Sequence, residues 1–386
     1  MSWEKKTLGD IAKSIQTGPF GSQLHQSDYS ETGIPVVMPK DIVNGKISED
    51  SIARVSNQHV DRLCRHKISV GDILYSRRGD VGRCAFATET EKDWLCGTGC
   101  LKVTINTEQA VPQFVFFQLQ KAETIGWIVN HAVGSTMLNL NTSILSDVPI
   151  EIPDIAIQEK IVSILSAYDS LVENNRKQIK LLEEAAQRLY KEWFVDLRFP
   201  GYEAVEVIDG IPSGWTKECI GNIIGKVPRT KQIKTVEYLK KGAIPVIDQS
   251  RDFIAGYTND STALVDMGIP IIVFGDHTRV LKYIQFPFAR GADGTQLIVS
   301  GVDSMPQSLL YLSLIAVDLS NYHYARHFKY LKEEIILIPT KGIAEDFDKI
   351  ISPFFVQIQK LRDISNRLLE ARDRLLPKLM SGEIEV

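Results

Sequence analysis

The 386-residue chain is short of several things that narrow its function. It has five cysteines, an odd number thinly spread, which fits a reducing, cytoplasmic setting better than a secreted disulfide frame. No apolar run approaches the roughly 18 residues of a membrane span, and the start, MSWEKKTLGD, is too polar for a signal peptide. Charge of one sign is missing too: 44 Lys and Arg face 48 Asp and Glu. A net charge of −4 argues against indiscriminate coating of nucleic acid but leaves room for local basic faces.

Catalytic motifs are equally scarce. Residues 221–226, GNIIGK, have one residue too few for a phosphate loop and Val227 where Ser or Thr is needed to hold Mg²⁺. Gly97-Thr98-Gly99 lacks the third glycine of a dinucleotide loop and reads as a turn. No H-E-x-x-H, G-x-S-x-G or deaminase zinc signature occurs, nor the Asn/Asp-Pro-Pro-aromatic tetrapeptide of an amino-methyltransferase. Cys84, Cys96 and Cys100 lack paired spacing for a metal. Asp154, Glu159 and Lys160 sit too close together for a nuclease cleft and read as a solvated first helical turn.

What is present is a repeat. Residues 152–194 align without a gap on residues 338–380, an offset of 186: Ile152-Pro153 on Ile338-Pro339, Glu159 on Glu345, Arg176 on Arg362, Leu182 on Leu368 and Arg188-Leu189 on Arg374-Leu375. Two unrelated amphipathic helices would share apolar spacing, not the Ile-Pro lead-in and interior charges as well. Earlier segments match more loosely. Trp3 and Leu8-Gly9-Asp10-Ile11 resemble Trp215 and Ile220-Gly221-Asn222-Ile223 at an offset of 212, and Ile34-Pro35-Val36 resembles Ile244-Pro245-Val246. Gly79-Asp80 is aligned with Gly275-Asp276, and Gly97-Thr98 with Gly294-Thr295.

Each repeat ends in a long helix carrying a narrow apolar stripe of coiled-coil type. The first stripe is read as Ile161, Ile164, Tyr168, Leu171, Asn175, Ile179, Leu182, Ala186, Leu189 and Trp193. The second is Phe347, Ile350, Phe354, Ile358, Leu361, Ile364, Leu368, Ala371, Leu375 and Leu379. Ahead of each lies a mixed segment with strands expected at residues 70–75, 100–105, 270–274 and 297–302, and helices at 111–121 and 305–318. The fold class is α+β. The division is a globular domain at 1–151, a long helix at 152–199, a linker (196–214) and second globular domain within 200–337, and a second long helix at 338–386.

Local positive charge is the remaining signal. Six Lys or Arg fall between Arg62 and Arg83 against Asp72 and Asp80, and six more between Lys226 and Lys241 against Glu237. Arg77-Arg78 follow a predicted strand, so their forks should leave the domain at a strand end, where Arg suits guanine O6/N7 or phosphate. A solvated loop or an ion pair to Asp80 is the competing reading. Residues 322–332, YHYARHFKYLK, mix aromatic and basic side chains, which suits a nucleic-acid face and equally an amphipathic strand.

The plan of globular domain, long helix, globular domain, long helix resembles the specificity subunit of type I restriction–modification systems over essentially the whole chain. TGPFGSQL (17–24), YSRRGDVGR (75–83) and GSTMLNLN (134–141) resemble that family's target-recognition domains, as do PVIDQS (245–250), FIAGYT (253–258), FGDHTR (274–279), FPFARGADGT (286–295) and ARHFKYLK (325–332). The resemblance implies a chain that is not an enzyme and binds no cofactor or metal. It implies that each domain reads one half of an asymmetric bipartite site in double-stranded DNA, while the long helices pair as an antiparallel coiled coil. The implied partners are two methyltransferase subunits, bringing S-adenosylmethionine, and motor–nuclease restriction subunits using ATP and Mg²⁺.

Where motif and chemistry coincide, the candidate DNA contacts are Gln23, Arg77, Arg78, Arg83, Gln249, Arg251, His277, Thr278, Arg279, Arg326 and Lys329. Glu173, Arg176, Lys177, Lys180, Glu183 and Glu184 are candidate partner-docking residues on the first long helix. Two other classes stand beside this reading: a self-contained DNA methyltransferase or nuclease, and a coiled-coil scaffold without DNA readout.

Overall fold

The computed structural model describes residues 3–134, 137–321 and 326–386. The chain folds into two compact units. One runs from the start to Val172 and adds Arg367–Val386; the other is Glu173–Asn366. These units cut across the four-part sequence division, because each combines a globular domain with a portion of both long helices.

The first unit opens with Glu4–Thr7 paired antiparallel to Pro149–Ile152, Glu4 lying opposite Ile152. Thr7 then caps a single helical turn, Leu8–Ile11: its hydroxyl accepts from Asp10 N at 3.3 Å, and Asp10 Oδ2 accepts from Thr7 N at 2.8 Å. That reciprocal box satisfies two donors the turn would otherwise strand. It also drives Leu8 and Ile11, both fully buried, into a core with Phe114, Phe117, Ile161, Leu165 and Leu379. Burial of each such side chain contributes on the order of 1.5–3 kcal/mol. An antiparallel sheet follows in the order Ala12–Thr17, Cys100–Ile105, Ile73–Ser76, Cys84–Phe86. A second sheet pairs Ile34–Val37 parallel to Leu95–Cys96 and antiparallel to Ala53–Val55.

The second unit repeats this plan in the same register. Thr216–Cys219 pairs antiparallel with Ile335–Ile338, Thr216 opposite Ile338, followed by the turn Ile220–Ile223. Glu4 to Thr216 is the offset of 212, and Ile152 to Ile338 the offset of 186, so both repeat signals mark the same two-stranded lead into a long helix. Leu281–Ile284, Ile271–Gly275 and Thr295–Ile298 form its antiparallel sheet, and the fourth strand shrinks to a bridge between Ile224 and Ser300. Ile244–Ile247 again pairs parallel with one neighbour, Phe288–Arg290. Its core gathers Trp193, Phe194, Phe199, Trp215 and Phe347, with Phe194 edge-on to Phe347 at 4.8 Å. The expected linker is partly ordered structure: it buries Phe199 against Trp215 (centroids 4.9 Å apart) and forms the hairpin Val207–Ile208 with Ile211–Pro212.

Two sequence alignments inside the domains need correction. Arg77 N donates to Gly99 O at 2.8 Å, and Asp276 N donates to Gly294 O at 2.7 Å. Gly97 N donates to Val37 O at 2.9 Å, and Gly291 N to Ile247 O at 2.8 Å. Asp276 therefore corresponds to Arg77 rather than Asp80, Gly294 to Gly99, and Gly97 to Gly291. Gly99 and Gly294 share a left-handed backbone, φ 88° and 75°, which favours glycine at that turn. Matching letters misled the alignment because a glycine recurs within two residues in the first domain.

The long helices are Ile155–Tyr190, prolonged by a π turn at Lys191–Val195, and Lys341–Met380. At 1.5 Å per residue they run about 54 and 60 Å. Within the second unit they pair antiparallel: Asn175 meets Ser365, Glu183 meets Arg362 and Trp193 meets Phe347. Within the first unit Asp169 meets Arg372. Leu171 is half exposed whereas Val172 and Leu165 are buried. The stripe 161, 165, 168, 172, 175, 179, 182, 186, 189, 193 then alternates four- and three-residue steps without the extra four the sequence reading required. On the second helix Ile351, Phe355, Ser365 and the half-buried Arg372 turn inward in place of Ile350, Phe354, Ile364 and Ala371.

Candidate nucleic-acid interface

In the first unit, three segments converge on the strand end at Gly97–Cys100. Arg77 is fixed there by its backbone bond to Gly99, and its own carbonyl accepts from Leu140 N at 2.8 Å. Arg78 bridges to Asn139, its side chain exposed. Gly18 N donates to Cys100 O at 2.9 Å, and Thr98 Oγ1 donates to Pro19 O at 3.0 Å. A Cβ on Gly18 would strike the Gly97 carbonyl, so this close approach requires glycine. Gln23 spends part of its amide inside the loop, where Oε1 accepts from Phe20 N at 3.0 Å, and Arg62 Nη2 donates to Gln23 O at 2.8 Å. Arg77 and Asn139 each keep one buried polar atom, Nε and Oδ1, without a hydrogen-bond partner. Ser135 and Thr136 of the predicted motif lie outside the described residues.

The second unit builds the corresponding strand end from other side chains. Gln249 is its cross-link: Nε2 donates to Asp293 O at 2.8 Å and Oε1 accepts from His277 N at 3.1 Å. Thr278 Oγ1 donates to Gln249 O at 2.6 Å. A Cβ on Gly294 would strike both His277 and Gln249. Asp276 ties in the segment behind them, Phe328 N donating to its Oδ1 at 2.7 Å and His327 N to its carbonyl at 2.9 Å. His277, Thr278 and Arg279 are exposed; Arg279 has φ 60° and donates from Nη1 to Leu319 O at 2.9 Å. Arg326 is exposed, and Lys329 faces Glu333 at 3.9 Å. Residues 322–325 of the aromatic-basic stretch lie outside the described residues.

Other candidates sit in different surroundings. Arg83 is held within its domain: Nε lies 3.0 Å from Asp80 Oδ2, and Nη1 donates to Ile42 O at 3.3 Å. The competing ion-pair reading thus describes Arg83, while Arg78 remains at the surface. Arg251 lines a cavity of about 320 Å³ with Glu183, Lys282, Tyr283 and Arg362. Glu183 bonds Arg362 of the second helix at 2.9 Å while its side chain stays 42% exposed. Lys180 and Glu184 stand 4.0 Å apart, Glu173 and Arg176 3.9 Å, on the helix surface with Lys177. In the basic segment 226–241, Lys231 is bound to Asp260 at 2.6 Å. Lys231 and the Thr262 hydroxyl and amide hold the Asp260 carboxyl down to about 2. Lys226, Arg229, Lys234, Lys240 and Lys241 stay exposed.

Two buried lysines had no sequence signal. Lys102 Nζ donates to Lys67 O at 2.6 Å and lies 3.4 Å from Asp72. Lys282 Nζ donates to the carbonyls of Asp248 and Asp252 at 2.8 and 2.5 Å, and burial pushes its ammonium down. Both brace loops rather than face solvent, so they subtract from the apparent basic surface. Gln249's bridging role was also illegible, since a glutamine in a loop carries no mark of its partners 28 and 44 residues away. Among the described residues no group of three or more His, Cys, Asp or Glu could hold a metal ion, and no helix is long and apolar enough to cross a membrane.

Each unit thus carries a polar strand-end cluster on a repeated α+β frame, and the comparisons show which proteins share that frame. Residues 1–184 match the family described as Type I restriction modification DNA specificity domain. The family domain thus falls on the first part of the chain, and the curated relatives that the chain resembles are named as type I restriction enzyme specificity subunits. A Methanocaldococcus jannaschii protein, the type I restriction enzyme MjaIX specificity subunit, is 24% identical over 417 residues, covering 100% of this chain and 94% of the relative. The Haemophilus influenzae HindI specificity subunit is 27% identical over 212 residues, 54% of this chain and 44% of the relative. A crystal structure of a type I restriction–modification S subunit from M. genitalium shares the fold with a TM-score of 0.60 at 17% identity, covering 98% of this chain and 96% of that one.

Proposed function

We propose that the chain reads an asymmetric bipartite sequence in double-stranded DNA, one half-site with each strand-end cluster, and leaves catalysis to its partners. The observation that carries this reading is one backbone construction furnished with different side chains. The Arg77–Gly99 and Asp276–Gly294 bonds make equivalent platforms, which present Arg77 and Arg78 in the first unit and His277 and Thr278 in the second. Like platforms with unlike donors suit two unlike half-sites. Arg78, exposed on a fixed strand end, has the fork to take guanine O6/N7.

The partners in this reading are two methyltransferase subunits carrying S-adenosylmethionine and motor–nuclease subunits using ATP and Mg²⁺. Arg176, Lys177, Lys180 and Glu184 offer polar docking positions. In the second unit the helices also expose Leu181, Ile350, Val356 and Ile364, an apolar supplement the sequence reading had not assigned. Mapping N6-methyladenine in the host genome with and without this gene tests the proposal: a single bipartite motif should vanish with the gene. Salt-dependent binding of the full chain to that duplex should disappear when either half is changed. Unchanged methylation, or binding indifferent to both halves, would overturn it.

A further inference from the structure

Gln249 sits on a loop, residues 248–253, that is fastened on two sides within the second unit. On the domain side one buried lysine holds both ends of a turn: Lys282 Nζ donates to Asp248 O at 2.8 Å and to Asp252 O at 2.5 Å. Inside the turn, Asp248 Oδ1 accepts from Ser250 N at 2.9 Å and from Ser250 Oγ at 2.6 Å. Gln249 then reaches across to Asp293 O and His277 N. Phe253 follows the turn. It is half-buried, and its ring meets Phe286 of the domain edge-on at 6.1 Å.

On the helix side the same ring carries a cation. The Arg362 guanidinium lies over Phe253, 4.1 Å from the ring centroid, while its Nη2 donates to Glu183 Oε1 at 2.9 Å. Arginine can do both at once, because its planar face stacks while an in-plane N–H meets a carboxylate. A lysine ammonium would keep the charge and lose the stack. A cavity of about 320 Å³, lined by Phe253, Arg362, Glu183, Arg251 and Tyr311 among others, opens beside this contact. Close-packed side chains ordinarily fix where a loop sits. Here there is space instead of packed atoms, so the stack takes that part. The repeat does not share it: Arg176, aligned with Arg362, has over half of its side chain exposed and faces Glu173 of its own helix at 3.9 Å.

We infer that Arg362 is a positioning residue for the second half-site, fixing the 248–253 loop against the helix pair through its stack on Phe253. This rests on the DNA-reading function proposed above and deepens it. Arg362 meets no base in this role. It sets the loop, and through Gln249 the loops of His277 and Asp293, before a duplex arrives, so binding need not order them. The first unit has no such stack at the matching arginine, and its half-site is the internal control.

The experiment uses the full-length chain, its mapped duplex and duplexes altered in one half, with fluorescence anisotropy. Arg362→Lys keeps a charge for Glu183, and Phe253→Leu keeps apolar bulk; each should weaken binding to the mapped duplex about 5- to 10-fold. Each should relax preference at the second half-site and leave the first unchanged. The double variant should bind no worse than either single one, because both remove the same contact. Phe253→Tyr, which restores the ring face, should return most of the affinity. Hydrogen exchange across residues 248–253 should quicken in both single variants without DNA present. Multiplied losses in the double variant, equal loss at both half-sites, or unchanged exchange would overturn the inference. Failure of the unmodified chain to prefer any bipartite duplex, with exchange still quickened in the variants, would instead defeat the DNA-reading function on which this role depends.

Discussion

Asn175 Nδ2 donates to Ser365 Oγ at 3.2 Å across the two long helices of the second unit, both residues buried in an otherwise apolar seam. Ser365 Oγ in turn donates to Leu361 O at 2.7 Å, so the layer is satisfied. A slipped register would bring Asn175 against Leu361 or Leu368 and leave its amide unpaired in a dry seam. Buried polar layers of this kind select register at some cost in stability.

Asn175→Leu should therefore raise the thermal midpoint while loosening the register. Spin labels at the exposed positions Lys177 and Asp363 should give one narrow distance distribution in the parent and a broadened one in the variant. A lowered midpoint with an unchanged distribution would show that the layer is purely stabilising.

Glu183 and Arg362 tell a related story with charges. Burial pushes the Glu183 carboxyl up and the Arg362 guanidinium down, in each case against the attraction of the other. Burial also acts to lower Arg372, but its bonds to Asp169 and Asp373 raise it overall. Removing either partner of the first pair alone, by Glu183→Leu or Arg362→Met, should cost about 1–2 kcal/mol. That is less than a fully buried pair because both side chains keep some solvent. The double variant should recover most of that loss in denaturant unfolding. Additive losses would contradict the pair's dependence on mutual burial.

Gln249 is half-buried, and its amide is held at one end by Asp293 O and at the other by His277 N. Gln249→Ala should weaken reading of the second half-site about 10-fold by releasing three loops. Gln249→Glu, which keeps the acceptor for His277 N and loses the donor to Asp293 O, should fall between. Amide exchange at His277 should speed up in the alanine variant without DNA present. Unchanged exchange together with lost binding would point to a direct base contact.

His66 should contribute a pH dependence to stability. Burial, with Arg65 and Lys102 nearby, pushes its imidazolium below the ordinary 6.5. The unfolded chain then binds the proton more tightly, so stability from this site is complete above about 6.5 and is lost as pH falls toward the depressed folded value. His66→Gln should flatten the midpoint's decline across that acid window. Equal declines in parent and variant would assign the effect elsewhere.

How much was legible differs between the frame and the site. Apolar spacing announced both helices, and the short strand-like runs at 70–75 and 100–105 are found as the strands Ile73–Ser76 and Cys100–Ile105. Val172 and Leu171 are neighbours of similar hydropathy, so residue type does not choose between them; strict alternation of four- and three-residue steps selects Val172, and the packing buries it. Gly79-Asp80 and Gly275-Asp276 match as letters, but the hydrogen bonds through Gly99 and Gly294 place Asp276 with Arg77.

The sequence alone determined the repeat, because the two-stranded lead and the helix behind it need the same apolar and Ile-Pro positions in both halves to bury the same core. Tertiary structure alone decided which charged and amide side chains are free to meet a ligand. Lys102, Lys282 and the amide of Gln249 are claimed by partners far along the chain, since a buried donor or acceptor must be satisfied wherever the fold brings a complement within about 3 Å. Local sequence holds no record of those distances.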